Sequence, residues 1–163
     1  MVVVTIIAIF AALGMPSFSG LIDRYRLKGT ADALHAEIQF ARSEAIRRNQ
    51  EVHLVFGTGS GSCYGIGTNA DCGCDTCDIR TRATAAFASD FPGVRIDSVT
   101  AAGAAATGFG FTPRQGTTTA NGAVRVTVGS VRSGLQLTVA TGLLGIPRTC
   151  SPGAAVPGYP ACE

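Results

Sequence analysis

Six cysteines are the residues of this chain whose type and spacing could do chemistry, and four of them fall in one short stretch. Cys74 and Cys77 form a C-x-x-C pair, and two thiolates at this spacing can reach one tetrahedral zinc ion. The second such pair that a four-cysteine zinc site usually shows is missing, because Cys63 stands alone and Cys72 is too close to Cys74. In a domain exported from the cytosol, two disulfides among these four cysteines are the stronger interpretation.

A redox role for Cys74 and Cys77 is a further alternative. It would need a helix N-terminus after a strand to depress the thiol pKa, and the surrounding sequence predicts no such helix. The pairing among the first four cysteines stays open. Cys150 with Cys162 is the favoured pair, by elimination and because a proline-rich segment separates them. Losing Cys162 should therefore loosen the C-terminal tail.

Other chemistry finds little support in the residue types. His35 and His53 lie far apart on a predicted helix and a predicted strand, with no partner at metal-ligand spacing, so we expect structural histidines. No hydrolase elbow, Walker loop or dinucleotide fingerprint stands in a strand-turn-helix setting. Residues 57–61 read as a flexible loop rather than a phosphate cradle. The sequence predicts no enzyme, no metal and no cofactor.

Positive charge dominates the C-terminal part of the chain. From residue 98 onward the only acidic residue is the terminal Glu163, against four arginines: Arg114, Arg125, Arg132 and Arg148. Arginine forks bind phosphates in a sequence-blind and salt-sensitive way, so a basic β-face could bind DNA. Four dispersed arginines are also what a solvated sheet face contains, and both interpretations stay open.

The elements that position these residues must come from one domain of ordinary size. The chain has 163 residues, 46% of them hydrophobic and 15% charged, with a net charge of +2. That apolar content is enough for a core and excludes wholesale disorder. The charge balance is too mild for a dedicated nucleic-acid-binding protein.

The first element is an apolar stretch. Residues 1–15 carry no charge, and Pro16 follows. Fifteen helical residues measure about 22 Å, short of the roughly 30 Å hydrocarbon core, whereas a kinked helix through Pro16 to Ile22 would span it. A signal peptide would need a basic region before Val2, and a buried soluble helix would normally show a polar face. We therefore predict a transmembrane or filament-core helix over residues 1–22, truncated at its beginning.

The helix is predicted to continue, now amphipathic, over residues 23–50. Its apolar residues recur in steps of three and four: Leu27, Ala31, Leu34, Ile38, Ala41 and Ala45. Glu44 can pair with Arg48 one turn later. This half of the helix should lie on a globular domain.

Residues 51–163 form the β-rich domain. The apolar period there changes to two, which predicts short strands at residues 52–56, 94–96, 109–111, 124–128 and 135–139. Asn121-Gly122 and Ser133-Gly134 are turn signals at hairpin spacing, so an antiparallel meander is expected. Residues 57–88 predict a Cys-rich loop with at most short strands around Tyr64 and Ile79, and residues 150–162 a tail closed by its cysteines. The fold class is α+β, one long N-terminal helix packed on a small antiparallel sheet.

This order of features resembles type IV pilin-like proteins, and several phrases resemble the FimT/GspH group of minor pilins and pseudopilins. The phrases are Pro16-Ser-Phe18, Arg24-Tyr-Arg-Leu27, Ala31-Asp-Ala-Leu34 and residues 41–50, then residues 111–116, Asn121-Gly122 and residues 145–150. The resemblance covers most of the chain and places Pro16 at the family's helix-kinking proline.

The resemblance implies a non-enzymatic structural subunit that assembles or primes a type IV pilus. A type II secretion pseudopilin and a DNA-binding minor pilin of natural transformation are the alternatives. The implied partners are other pilins, through the N-terminal helix, and the inner membrane before assembly, with the globular domain in the periplasm. The charged group Asp23, Arg24, Arg26 and Lys28 would mark the periplasmic membrane boundary. A periplasmic binding domain with a signal peptide is a remote further alternative.

Two family features have no counterpart in the residues at hand. In the family a prepilin peptidase cleaves a leader after a glycine, and the exposed, methylated phenylalanine is followed by a glutamate. Met1 resembles a position inside the family's helix, so we expect upstream codons to supply these residues and, with them, the peptidase as a partner. DNA-binding relatives carry a Gly-Arg-x-Arg phrase, of which Gly145-Ile-Pro-Arg148 keeps only the second arginine.

Overall fold

The structure is a computed structural model that describes the backbone of residues 2–162 and the side chains of residues 19–162. Its helices are α1 (Val2–Arg48) and α2 (Thr84–Asp90). Its strands are β1 (Val52–Gly57), β2 (Cys63–Gly67), β3 (Arg80–Arg82), β4 (Val94–Ala101), β5 (Ala104–Ala105), β6 (Gly108–Phe111), β7 (Val124–Ser130), β8 (Gln136–Thr141) and β9 (Pro147–Cys150). The predicted kink at Pro16 lies outside the residues whose side chains are described. Along the described residues, no helix is long and apolar enough to cross a membrane.

The long helix α1 packs on the domain through the face that the sequence predicts. Its six apolar residues from Leu27 to Ala45 are all at most 1% exposed. Three of them are alanines, whose small side chains let the strands approach the helix axis closely. The helix ends because Asn49 adopts a left-handed φ of 52°, and the backbone N–H of Gln50 donates to the Ala45 carbonyl across 3.3 Å.

The strands form two antiparallel sheets rather than one meander. The first has the order β3-β2-β1-β6 and the second the order β5-β4-β7-β8-β9. The predicted single sheet is wrong here, because β6 returns to pair with β1, with Val52 opposite Phe111. Helix α1 contacts strands of both sheets, and the core lies where they meet the helix.

The two predicted turns have different outcomes. Residues 131–135 join β7 to β8 as a hairpin, with Gly134 at a φ of 66° that suits glycine, so the Ser133-Gly134 prediction is confirmed. Asn121-Gly122 joins β6 to β7, which belong to different sheets, so its predicted hairpin is wrong. Strand β4 extends beyond the predicted residues 94–96 to Ala101. A bulge at Asp97 interrupts the alternation of apolar residues, so the sequence pattern did not indicate the second part of the strand.

Residues 57–88 hold more regular structure than the sequence predicts. Strand β2 is buried along its whole length, and α2 follows β3 directly. Phe87 is 1% exposed and anchors α2, with its ring 5.0 Å from that of Phe91 and 6.4 Å from that of Tyr64. Helix α2 has only seven residues and is held in place by these aromatic contacts. It is too short to show the repeated apolar spacing from which a helix is predicted.

Candidate interaction surfaces

All six cysteines form disulfides: Cys63–Cys74, Cys72–Cys77 and Cys150–Cys162. The expected disulfide bonding is therefore present, and the structure supplies the pairing that the spacing left open. The thiols that could bind zinc are consumed, and the described residues contain no group of side chains placed to hold a metal ion.

The two disulfides within residues 63–77 hold the Cys-rich loop close to β2. Glycines on that strand make the close approach possible, since a Cβ atom on Gly67 would lie 2.7 Å from Asp78 Oδ1 and 3.0 Å from Cys72 Sγ. Asp78 fixes the base of the loop by accepting hydrogen bonds from the Thr68 backbone N–H at 2.7 Å and hydroxyl at 3.2 Å. The backbone hydrogen bond is the main reason that the pKa of Asp78 is lowered.

The C-terminal tail is tied to α1 through Lys28. The Lys28 ammonium donates to the Pro157 carbonyl at 3.0 Å and lies 5.4 Å from the centre of the Tyr159 ring. The disulfide at Cys150 and Cys162 closes this tail, and Val156 within it is fully buried. Lys28 therefore binds its own domain, in addition to any role at a membrane boundary.

The other boundary residues differ in exposure. Asp23 is 8% exposed, whereas Arg24 is exposed, and Arg26 donates to the Pro92 carbonyl across 3.4 Å. Two members of this charged group, Arg26 and Lys28, therefore make hydrogen bonds within the domain.

The four C-terminal arginines do not all lie on one sheet face. Arg125 on β7 and Arg148 on β9 share a row of the second sheet, with Ala140 of β8 between them. Arg132 follows the far end of β7, about 20 Å from Arg125 along the strand. Arg114 lies on the turn after β6, and β6 is a strand of the first sheet. The structure supports a pair of arginines on one sheet face rather than a four-arginine groove.

The two histidines lie apart, each beside a residue of its own segment. His35 Nε2 is 3.0 Å from Gln39 Nε2 on α1, and His53 Nε2 is 3.7 Å from Glu51 Oε2 at the start of β1. The structure brings neither histidine to a cysteine.

An ion pair that the sequence analysis missed, between the nearly buried Glu37 and the partly exposed Arg80, joins α1 to the Cys-rich segment. Glu37 Oε1 accepts from Arg80 Nη1 at 2.8 Å and from the Tyr64 hydroxyl at 3.3 Å. The Arg80 guanidinium also stacks 4.2 Å from the centre of the Phe40 ring. Burial, together with the nearby Glu37 charge, raises the pKa of the Tyr64 hydroxyl. The signal in the sequence is a glutamate on the apolar side of an amphipathic helix, because a carboxylate that is largely buried needs a partner of opposite charge.

At the end of α1 the predicted pair between Glu44 and Arg48 is confirmed at 2.7 Å. Arg47 donates two further hydrogen bonds to the same carboxylate, from Nε at 2.8 Å and from Nη2 at 2.7 Å. The hydrogen bonds from Arg47 and then Arg48 lower the pKa of Glu44 from 4.5 to about 2. The Glu44 carboxylate therefore stays ionised, and its negative charge is balanced by two arginines of its own helix.

An exposed apolar patch lies at the same end of α1. It consists of Ile46, Leu143, Leu144 and Ile146, which are 48%, 57%, 68% and 54% exposed. Beside it, a cavity of about 320 Å³ opens between α1 and the turn from β8 to β9. The turn signal, two glycines enclosing Leu143 and Leu144, could have announced this patch, because a tight turn leaves side chains in solvent.

Comparisons with known proteins give one family and one fold. The family described as type II transport protein GspH matches residues 30–145. Two crystal structures of the type IV minor pilin FimU of Pseudomonas aeruginosa PAO1, in different space groups, match with TM-scores of 0.57 and 0.55. Their sequences are 18% and 17% identical to this chain. The alignments cover 82% and 85% of this chain and, in both cases, 98% of the FimU chain. No curated protein sequence matches significantly.

Proposed function

The chain belongs to the GspH family, and from that membership we propose that it is a minor pilin of a type IV pilus: a structural subunit that assembles or primes the filament. The carrying observation is that the family match, over residues 30–145, includes the last part of α1 and the strands from β1 to β8 on which it packs. The fold shared with the minor pilin FimU supports the same role.

The chain's own residues suggest how such a subunit works. Residues 1–15 are free of charge, and such a segment packs against lipid or against the helices of neighbouring subunits. The described half of α1 packs on the domain through its apolar face. It is also joined to the domain by the hydrogen bond from Lys28 to the C-terminal tail and by the ion pair between Glu37 and Arg80. Because these contacts are distributed along the helix, the domain follows any movement of the helix as one body.

Before assembly we place the protein in the inner membrane as a single-pass subunit with its domain in the periplasm. Disulfides fit that compartment, since they persist in oxidising environments. In the assembled state the protein would belong to the filament, with other pilins as its partners. Processing by a prepilin peptidase belongs to this proposal as well.

A pseudopilin of type II secretion is the second candidate, favoured by the description of the matching family as a type II transport protein. The two roles share the same helix and fold. Deleting the gene and measuring twitching or pilus number against secretion of exported enzymes would separate them.

DNA binding in natural transformation is a third candidate, supported by the shared row of Arg125 and Arg148. It predicts salt-dependent retardation of double-stranded DNA in a gel shift, with a Kd in the micromolar range, and weaker binding by Arg148→Ala. A subunit with a purely structural role would show no shift.

Co-isolation from membranes tests the main proposal. The full chain, tagged at its C-terminus, should bring down pilins of the same cell after crosslinking. Ile7→Lys, which puts a charge into the charge-free segment, should abolish this, whereas Ser60→Lys on an exposed loop should not. If the unmodified tagged chain is isolated after crosslinking without any pilin, the proposal is refuted.

A further inference from the structure

The apolar patch of Ile46, Leu143, Leu144 and Ile146 is prearranged by its backbone. Gly145 has a φ of 71°, and its backbone N–H donates to the Gly142 carbonyl at 3.0 Å. The Leu143 carbonyl accepts from the Thr118 backbone N–H at 3.1 Å, which ties the turn to the segment after β6. A side chain on Gly145 would collide with the Gly116 carbonyl. The backbone that carries the two exposed leucines is thus fixed by its own hydrogen bonds, so binding a partner need not order it.

The charge around the patch is positive. Arg42 lines the adjoining cavity, Arg114 lies two residues before Gly116, and Arg148 lies two residues after Ile146. Neither Arg114 nor Arg148 has an ion-pair partner within the described residues. Residues 98–162 contain no acid. A partner that fits this surface carries apolar side chains flanked by carboxylates.

The position of the patch argues against a membrane as its occupant. Ile46 is 25 residues beyond Leu21 on α1, a distance of about 37 Å along the axis. That exceeds the roughly 30 Å hydrocarbon core, so a bilayer holding the N-terminal segment would not reach the patch.

A two-fold contact between copies is disfavoured by charge. An isologous interface sets the same patch against itself, and here it would bring Arg42, Arg114 and Arg148 toward their counterparts. A heterologous contact avoids this repulsion, and heterologous contacts are the kind that build open filaments.

We propose that the apolar patch is the surface on which a sister pilin-like subunit docks, through apolar side chains flanked by carboxylates. This inference rests on the proposed function and adds the place and the chemistry of one contact. The N-terminal helix supplies a separate contact, so the two can be tested independently.

The experiment uses the full chain in detergent micelles and the purified soluble domains of the other pilin-like proteins of the same organism. Binding is measured by biolayer interferometry. At least one domain should bind, and Leu144→Asp and Ile146→Asp should each weaken it at least about tenfold, because a buried apolar anchor is replaced by an unpaired charge. Val131→Asp is the matched control, since Val131 is 60% exposed on the turn after β7, and it should change binding less than about twofold.

Charge reversal gives the second measurement. Arg114→Glu should weaken binding, and reversing a carboxylate of the bound domain to arginine should restore it. Added salt should weaken binding by the unmodified chain more than binding by Arg114→Glu.

Several results would overturn the inference. Equal effects of Leu144→Asp and Val131→Asp would remove the patch from the interface. Binding only to a second copy of this chain, for instance through its exposed Asp71 and Asp75, or only to lipid vesicles, would assign another occupant. If the full chain still co-isolates with pilins from membranes in these cases, only the inference fails; if it isolates alone, the proposed function fails.

Discussion

The ion pair between Glu37 and Arg80 should stabilise the fold by joining α1 to the Cys-rich segment, and Arg80→Met tests this. The methionine keeps an apolar stem on the Phe40 ring but removes the guanidinium. Glu37 Oε1 would then retain only the Tyr64 hydroxyl at 3.3 Å, and Oε2 already has no hydrogen-bond partner among the described residues. The variant therefore leaves a carboxylate that is 12% exposed with one weak bond.

The size of the effect follows from burial. Removing one partner of a fully buried pair destabilises by about 3–5 kcal/mol. The Arg80 side chain is 41% exposed, so solvent already screens the pair, and we expect a loss of about 2 kcal/mol. For a chain of this length that corresponds to a fall in Tm of roughly 4–8 °C.

The assay is urea and thermal unfolding of the fragment that begins at Ser19, followed by circular dichroism. Arg95→Met is the control, because its pair with Asp97 joins neighbours on one strand and Arg95 is 52% exposed; it should change stability by less than about 0.5 kcal/mol. The double variant Glu37→Gln, Arg80→Met should recover part of the loss, since no unpaired charge remains buried. Equal stability of Arg80→Met and Arg95→Met would refute the reasoning.

Three further outcomes are expected. The hydrogen bonds from the neighbouring arginines hold the pKa of Glu44 at about 2 instead of 4.5, so their stabilisation is complete above pH 4.5 and is lost as pH falls toward 2. Acid unfolding should shift toward neutral pH in Glu44→Gln but not in Glu51→Gln; an unchanged acid midpoint would contradict this. Replacing Cys150 and Cys162 by serine should lower the unfolding free energy by about 3 kcal/mol and expose the tail to protease, because the closed loop no longer restricts the unfolded chain. Gly145→Ala should lower the unfolding free energy by about 1–3 kcal/mol in urea titrations, whereas Gly142→Ala, with open space around it, should not.

The amphipathic half of α1 shows how far periodicity carries. The residues from Leu27 to Ala45 recur at helical spacing, and all are buried as predicted. The pair of Glu44 with Arg48 also follows from spacing alone, because both residues lie on one helix one turn apart. Such features depend on neighbours within a few residues, so local sequence is enough to predict them.

The sheets show where that approach fails. Alternation indicates strands near Val52 and Phe111, but not that they pair with each other across nearly sixty residues of chain. The bulge at Asp97 breaks the alternation that would have given β4 its full length. Strand pairing is decided by which apolar faces can be buried together, a property of the whole chain.

The candidate surfaces divide in the same way. Cysteine count and spacing indicated disulfides, yet the partners of Cys63 and Cys72 depend on how the loop lies against β2. The four arginines could be counted in the sequence, but only the sheet register separates the row of Arg125 and Arg148 from the rest.

The sequence by itself determined the features whose signals are local: the charge-free start, the apolar face of α1 and most strands. It also carried the family resemblance. Only the tertiary structure decided that Glu37 pairs with Arg80 and that Ile46 lines one cavity with Gly145 and Ile146. The physical reason is that a periodic pattern states which side of an element avoids water. Which distant segment covers that side, and which apolar residues stay uncovered, depends on packing all the elements together.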